Sequence, residues 1–198
     1  MKELEYPKSF KYLTDLENWL NKNNIEYIWY DIYQNGNWSY KDLQGSVHLF
    51  RNGVELTKGI KAKWIWIYEN DSWIYKDTEG FEYLFRNGVE LTKGIKTKWV
   101  YYFDHGDWVY RDEQGYDHLF RNGVELTEGV KAIYAWSYEN GDWLYKDEQE
   151  FEHLFRNGVE LTKEVKAKEI YSCDNGDWKY TDEHGNWRKF DKNNNKVK

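Results

Sequence analysis

The nonapeptide Leu-Phe-Arg-Asn-Gly-Val-Glu-Leu-Thr occurs four times, beginning at Leu49, Leu84, Leu119 and Leu154, at a constant spacing of 35 residues. A fixed period of this length marks a repeat architecture, in which one unit cannot bury its apolar face alone and must stack on its neighbours. Repeat arrays build extended surfaces for holding a partner, so the sequence states the scaffold more loudly than the ligand.

Aligning the chain on this period gives five copies of a hairpin centred on Trp38, Trp73, Trp108, Trp143 and Trp178. Tyr40, Tyr75, Tyr110, Tyr145 and Tyr180 follow two positions later, then Asp42, Asp77, Asp112, Asp147 and Asp182. Turn signals such as Asn35-Gly36 and Asn140-Gly141 precede the Trp, because Asn and Gly tolerate positive φ. A second hairpin turns at Asn52-Gly53, Asn87-Gly88, Asn122-Gly123 and Asn157-Gly158. Each repeat therefore reads as four short strands, in the second copy near 64–70, 72–77, 81–86 and 89–92. For the second turn we expect a bulged form pairing Phe50 with Val54, which gathers Phe50, Val54 and Leu56 on one face.

The ends differ from the repeats. Ser9 is positioned to cap a helix over 9–22 in which Phe10, Leu13, Leu16 and Leu20 share a face. The expected organisation is a capping helix segment at 1–25 over the open edge of the first repeat, a five-repeat β domain at 26–190, and a frayed polar tail at 191–198. The fold class expected is an all-β tandem repeat with two hairpins per repeat. An open elongated array is preferred because the ends are unlike; a closed five-bladed propeller is the alternative.

Phe, Trp and Tyr make up 20% of the chain, with 12 Trp and 18 Tyr, so aromatics supply most of the burial. The net charge is −7, but acidic and basic residues alternate. There is no clustered Lys and Arg to neutralise phosphates, which argues against direct nucleic-acid binding. No apolar run approaches the length of a membrane-spanning helix, and Met1–Lys8 is charged, with no signal-peptide core. The expectation is a cytoplasmic protein with no membrane contact. The single Cys173 stands where other copies have Tyr33, Tyr68, Phe103 and Tyr138, and is expected on the core side.

The segments Asn140-Gly141-Asp142-Trp143-Leu144-Tyr145 and Phe155-Arg156-Asn157-Gly158 resemble the aromatic, glycine-turn hairpins of bacterial cell-wall-binding modules and of the MORN and WG repeat families. That resemblance spans the five hairpins. It implies non-enzymatic binding, to glycans in the first case and to proteins or membranes in the others.

Asp42 and its equivalents, each closing a turn, read as turn formers bonding nearby backbone, not as acid–base pairs. His48, His118 and His153 share one repeat position and are too far apart to converge on one metal ion. Arg51 and Glu55 flank the turn as an expected cross-strand pair. No catalytic, cofactor or metal site is expected, and no cofactor. Variation concentrates in the strand before each Trp. One position reads Asp31, Trp66, Tyr101, Trp136 and Tyr171; the next reads Ile32, Ile67, Tyr102, Ser137 and Ser172; another reads Trp29, Trp64, Trp99, Tyr134 and Glu169. Trp29, Asp31, Trp64, Trp66, Trp99, Tyr101, Tyr102, Tyr134 and Trp136 are the expected partner-binding residues, since irregular aromatic rows suit binding hot spots.

The function expected is a non-enzymatic protein-interaction module whose partner carries basic patches, with inhibition of a basic nuclease-type enzyme as its narrowest form. A carbohydrate- or cell-wall-binding module and a self-assembling structural repeat are the alternatives.

Overall fold

The computed structural model describes residues 4–68 and 70–197. The first three residues, Glu69 (inside the predicted 64–70 strand) and Lys198 of the predicted tail lie outside them. The chain divides into two compact units, Met1–Ile95 and Lys96–Lys198.

The first unit opens with helix α1 (Leu13–Lys22). Two sheets follow: β1 (Trp29–Ile32), β2 (Trp38–Lys41), β3 (Val47–Arg51) and β4 (Val54–Glu55), then β5 (Trp64–Ile67), β6 (Ser72–Lys76), β7 (Glu82–Arg86) and β8 (Val89–Glu90). The second unit continues with β9 (Trp99–Tyr102), β10 (Trp108–Arg111), β11 (Asp117–Arg121) and β12 (Val124–Glu125). Its fourth repeat holds β13 (Tyr134–Ser137), β14 (Trp143–Lys146), β15 (Glu152–Arg156) and β16 (Val159–Glu160). The fifth holds β17 (Ala167–Ser172), β18 (Trp178–Asp182), β19 (Trp187–Phe190) and β20 (Lys196–Val197). Every repeat is an open antiparallel meander in sequence order; a single bridge at Glu152–Ala167 joins the last two into one eight-stranded sheet. The fold is thus an all-β tandem repeat with one short helix.

Each meander has two faces of different character. On one, the Trp of the second strand stacks on the Phe of the third: Trp38 on Phe50 at 4.1 Å, Trp108 on Phe120 at 4.4 Å and Trp143 on Phe155 at 4.3 Å between ring centroids. The other face carries aliphatic residues such as Val109, Leu119, Leu144 and Leu154. Burial comes from packing the aliphatic face of one repeat on the aromatic face of the next. In the first unit Val47 and Leu49 meet Ala62, Ile65, Trp73 and Tyr75. In the second, Val109 and Leu119 meet Ala135 and Trp143, and Leu144 and Leu154 meet Ile170, Trp178 and Tyr180.

The first repeat has no predecessor to cover its aromatic face. Leu16 and Leu20 of α1 fill that place against Trp38, Tyr40 and Phe50, so the helix covers a sheet face and not the expected edge. The helix is also shorter than 9–22. Its N-cap is Tyr12, without a side-chain cap, and Ser9 lies outside it. Phe10 is drawn instead onto Trp38, with ring centroids 5.2 Å apart, and Pro7 accepts a hydrogen bond from Trp38 Nε1 at 3.1 Å. Residues 4–12 form a strap held by aromatic contacts that helical geometry would break.

Four more expectations are corrected. Phe50 pairs with Glu55, and Arg51 with Val54. Asn52 (φ 51°) and Gly53 (φ 79°) both take left-handed conformations, the geometry of a two-residue type I′ turn. Val54 is left 62% exposed, while Glu55 Oε1 reaches His48 Nδ1 at 2.7 Å. The two-residue Asn-Gly turn, not the gathering of apolar residues, decides this register: the second repeat, with Tyr83 in place of the histidine, keeps it as Phe85–Glu90. Arg51 and Glu55 consequently do not pair with each other. The frayed tail is replaced by β20, paired with β19 through Phe190–Lys196, and Asn194 accepts from Trp178 Nε1 at 3.0 Å. Cys173 is exposed, where Tyr33 and Tyr138 at the same repeat position pack against the following repeat.

Candidate functional site

Repeats are fastened by side chains that reach forward along the chain. Arg121 holds Asp107 of its own repeat and donates to the Gly141 carbonyl of the next at 2.8 Å. Arg156 repeats this with Asp142 and the Gly176 carbonyl, also at 2.8 Å. In the first unit Arg51 bonds Asn37 and the Asp71 carbonyl. The carboxylate at the start of the third strand also reaches forward: Asp117 accepts from the Ala135 N–H and Glu152 from the Ile170 N–H. Burial raises the Asp117 carboxyl above its usual range although Arg111 pulls the other way. Thr57, Thr127 and Thr162 accept from the N–H groups of Leu49, Leu119 and Leu154. The near-identity of the repeated nonapeptide is therefore structural.

The turn and histidine readings resolve similarly. Asp42 Oδ1 accepts from the Ser46 N–H at 2.8 Å, closing its turn. His48 bridges Asp42 and Glu55 and stacks on Tyr40 at 4.6 Å. Its pKa is raised chiefly by the Glu55 hydrogen bond, against the opposing effect of burial. Tyr83 replaces the histidine in the second repeat and donates to Asp77 at 3.1 Å. Among the described residues no three His, Cys, Asp or Glu side chains converge as a metal site.

The predicted binding residues lie on the aliphatic face, at its margin, where coverage by the next repeat is incomplete. In the first unit Trp29, Asp31, Trp64 and Trp66 are exposed, Trp66 by 54%. Trp64 and Trp66 stand side by side with centroids 6.2 Å apart and planes 22° apart. In the second unit Trp99 and Tyr101 repeat the arrangement at 6.1 Å and 13°, and Tyr134 and Trp136 at 6.3 Å and 9°. Tyr101 also lies 5.9 Å from Trp136, which joins the two pairs into one row. Tyr102 does not belong to this set. It is 1% exposed, because successive strand residues face opposite sides and its neighbour Tyr101 takes the outward one.

This row borders an open groove of about 440 Å³ between the fourth and fifth repeats, lined by Tyr134, Trp136, Lys146, Glu152, Glu169 and Tyr171, among others. Burial pushes the Tyr134 phenol above its ordinary pKa, so it remains a neutral hydrogen-bonding group. Lys146 pairs with Glu152 at 3.1 Å. Lys179 and Trp187, outside the predicted set, are also exposed. Their sequence signal was a departure from period: Trp187 stands where Glu82, Asp117 and Glu152 stand, and Lys179 where Ile74, Val109 and Leu144 stand.

Among the described residues no helix is long and apolar enough to cross a membrane. No family model matches this chain, and no curated protein matches it. Solved structures similar to it include the WD40 β-propeller domain of Doa1, at 14% identity, a TM-score of 0.35, and coverage of 79% of this chain and 61% of that one. The computationally designed Ika8 protein is similar at 14% identity and a TM-score of 0.38, covering 81% and 56% respectively. YCF48 bound to D1 peptide is similar at 7% identity and a TM-score of 0.40, covering 88% and 68%. The chain thus spans less than two thirds of the length of the first two.

Proposed function

We propose that this protein is a non-enzymatic protein-interaction module that grips its partner with the aromatic margin of its repeats. The supporting observation is the Trp99–Tyr101 and Tyr134–Trp136 arrangement, in which near-parallel rings stand about 6 Å apart on neighbouring outward positions. A sugar held between two rings needs about 7–8 Å, two van der Waals contacts of about 3.5–4 Å each. The free face of Trp99 is taken by Arg111, whose guanidinium carbon lies 5.8 Å from the ring centroid. Closely set Trp and Tyr beside a groove suit the anchors of a protein interface better than a glycan platform.

The acidic balance of the chain, −7 overall, favours a partner with basic patches. In its narrowest form the reading is inhibition of a basic nuclease-type enzyme by occupation of its surface. The test is capture from a lysate of the source cells by the tagged protein, with and without nuclease treatment, alongside Trp99→Ala and Tyr134→Ala variants verified by near-UV circular dichroism. One stoichiometric protein, bound roughly tenfold more weakly by either variant, is the expected outcome. Equal capture by both variants removes the aromatic margin from the interface. Quenching of tryptophan fluorescence by a polysaccharide, with no protein captured, replaces the reading with glycan binding.

A further inference from the structure

The aliphatic face of the third repeat is covered by the fourth, and that of the fourth by the fifth. The same face of the fifth repeat is exposed, and its residues are not simply polar versions of their equivalents. Leu154 becomes Lys189, Leu144 becomes Lys179, and the forward-reaching carboxylate Glu152 becomes Trp187. Lysines are the ordinary means of keeping a terminal face soluble. An exchange of Glu for Trp does the opposite. Trp187 is 51% exposed and Tyr171 47%, and their rings lie 5.9 Å apart.

The lysines have no carboxylate of their own. Neither Lys179 nor Lys189 makes an ion pair or side-chain hydrogen bond among the described residues; Lys179 Nζ lies 5.1 Å from the Tyr171 centroid and 4.8 Å from that of Trp187. The ladder places Lys179 directly opposite Lys189. Like charges directly opposite on adjacent strands destabilise a sheet, so an anionic group between them would relieve a cost the free protein bears. Glu169 is the carboxylate on this face; it aligns with Thr181 and Trp187, one row away from the lysine pair.

We propose that this end face, formed by Tyr171, Lys179, Trp187 and Lys189, is a second docking surface, and that its occupant is an acidic, extended segment of a partner protein. The cations meet its carboxylates, and the Tyr171 and Trp187 rings pack on its alternate apolar side chains. In the groove beside it Lys146 is paired with Glu152, whereas the two lysines of this face are unpaired among the described residues. It stands independently of the reading given for the aromatic margin. A second copy of this chain fits poorly, because a two-fold arrangement would bring the lysine pairs of both copies together.

The test is fluorescence anisotropy with a short labelled peptide of alternating Glu and Val, titrated with the full chain, and a matching Lys and Val peptide as control. Saturable binding of the acidic peptide alone is expected, weakened roughly fivefold or more by Trp187→Ala and by the Lys179→Gln/Lys189→Gln pair, and unchanged by Trp99→Ala. All variants are checked by near-UV circular dichroism, and the positions are surface ones that leave the core intact. Absence of saturable binding, equal binding of both peptides, or unchanged affinity in both variants overturns the proposal. So does competition by a single-stranded oligonucleotide at the same concentration as the acidic peptide, or self-association in sedimentation that disappears with Trp187→Ala.

Discussion

Arg156 donates from Nε to Asp142 Oδ1 at 2.8 Å, and its Nη2 donates both to Asp142 Oδ2 and to the Gly176 carbonyl of the following repeat. One guanidinium thereby fastens two repeats, and Nη1 adds a bond to the Lys192 carbonyl at 3.0 Å. The planar fork makes this possible, and a lysine cannot reproduce it. The fifth repeat carries Asp191 at the equivalent position, which cannot form this fork.

Removal of the fork strands a carboxylate. Asp142 is buried, and Ser172 Oγ is its remaining side-chain donor from the next repeat. Arg156→Ala is expected to destabilise the second unit by about 2–4 kcal/mol, and Arg156→Lys by a smaller but definite amount. Urea denaturation followed by tryptophan fluorescence gives both values. A double-mutant cycle with Asp142→Asn should show strong coupling, and additive losses would contradict the pairing.

The turn glycines provide an internal comparison. Gly53 and Gly88 adopt φ of 79° and 76°. A Cβ on Gly53 would lie 2.7 Å from the Tyr6 carbonyl oxygen, whereas one on Gly88 meets nothing within 4 Å. Gly88→Ala should cost about 1 kcal/mol of backbone strain. Gly53→Ala should cost clearly more and loosen the N-terminal strap, seen as faster tryptic cleavage after Lys8 and Lys11. Equal behaviour of the two variants would mean the strap does not rest on this turn.

His48 links stability to pH. Its folded pKa is raised above the ordinary histidine value, first by the hydrogen bond to Glu55 and further by Asp42, with burial opposing. The folded state therefore holds this proton more tightly than the unfolded state. Its stabilising contribution is complete below the unfolded pKa and is lost as pH rises through the folded one. His48→Tyr, which copies the Tyr83–Asp77 arrangement of the second repeat, should flatten the urea midpoint across that window. A variant with an unaltered pH profile would remove His48 as its source.

Cys173 is exposed in the native fold. Ellman's reagent should modify it in native buffer at a rate close to that in denaturant, while leaving the fluorescence spectrum unchanged. Protection released only by urea would place the thiol in a buried position.

Much of this architecture was readable before any coordinates. The period of 35 residues located every repeat, the Trp and Tyr positions located the second strand of each, and Asp42 declared itself a turn former. The variable row, apart from Tyr102, lies along one margin of the aliphatic faces. Some features escaped. The Phe50–Glu55 register follows from the two-residue Asn52-Gly53 turn, which leaves Val54 exposed against the apolar pattern, and the late start of α1 from a Phe10 ring that finds Trp38. The Arg51 partners lie in another hairpin, 14 and 20 residues away.

Local chemistry therefore determined the strands, the turns and the count of units, because hairpin geometry is dictated by neighbouring residues and repeated by copying. Tertiary structure alone decided which side of each strand is covered, and by what. Burial of a face depends on what packs against it: Cys173, Lys179 and Trp187 reach solvent where their equivalents in other repeats pack inward.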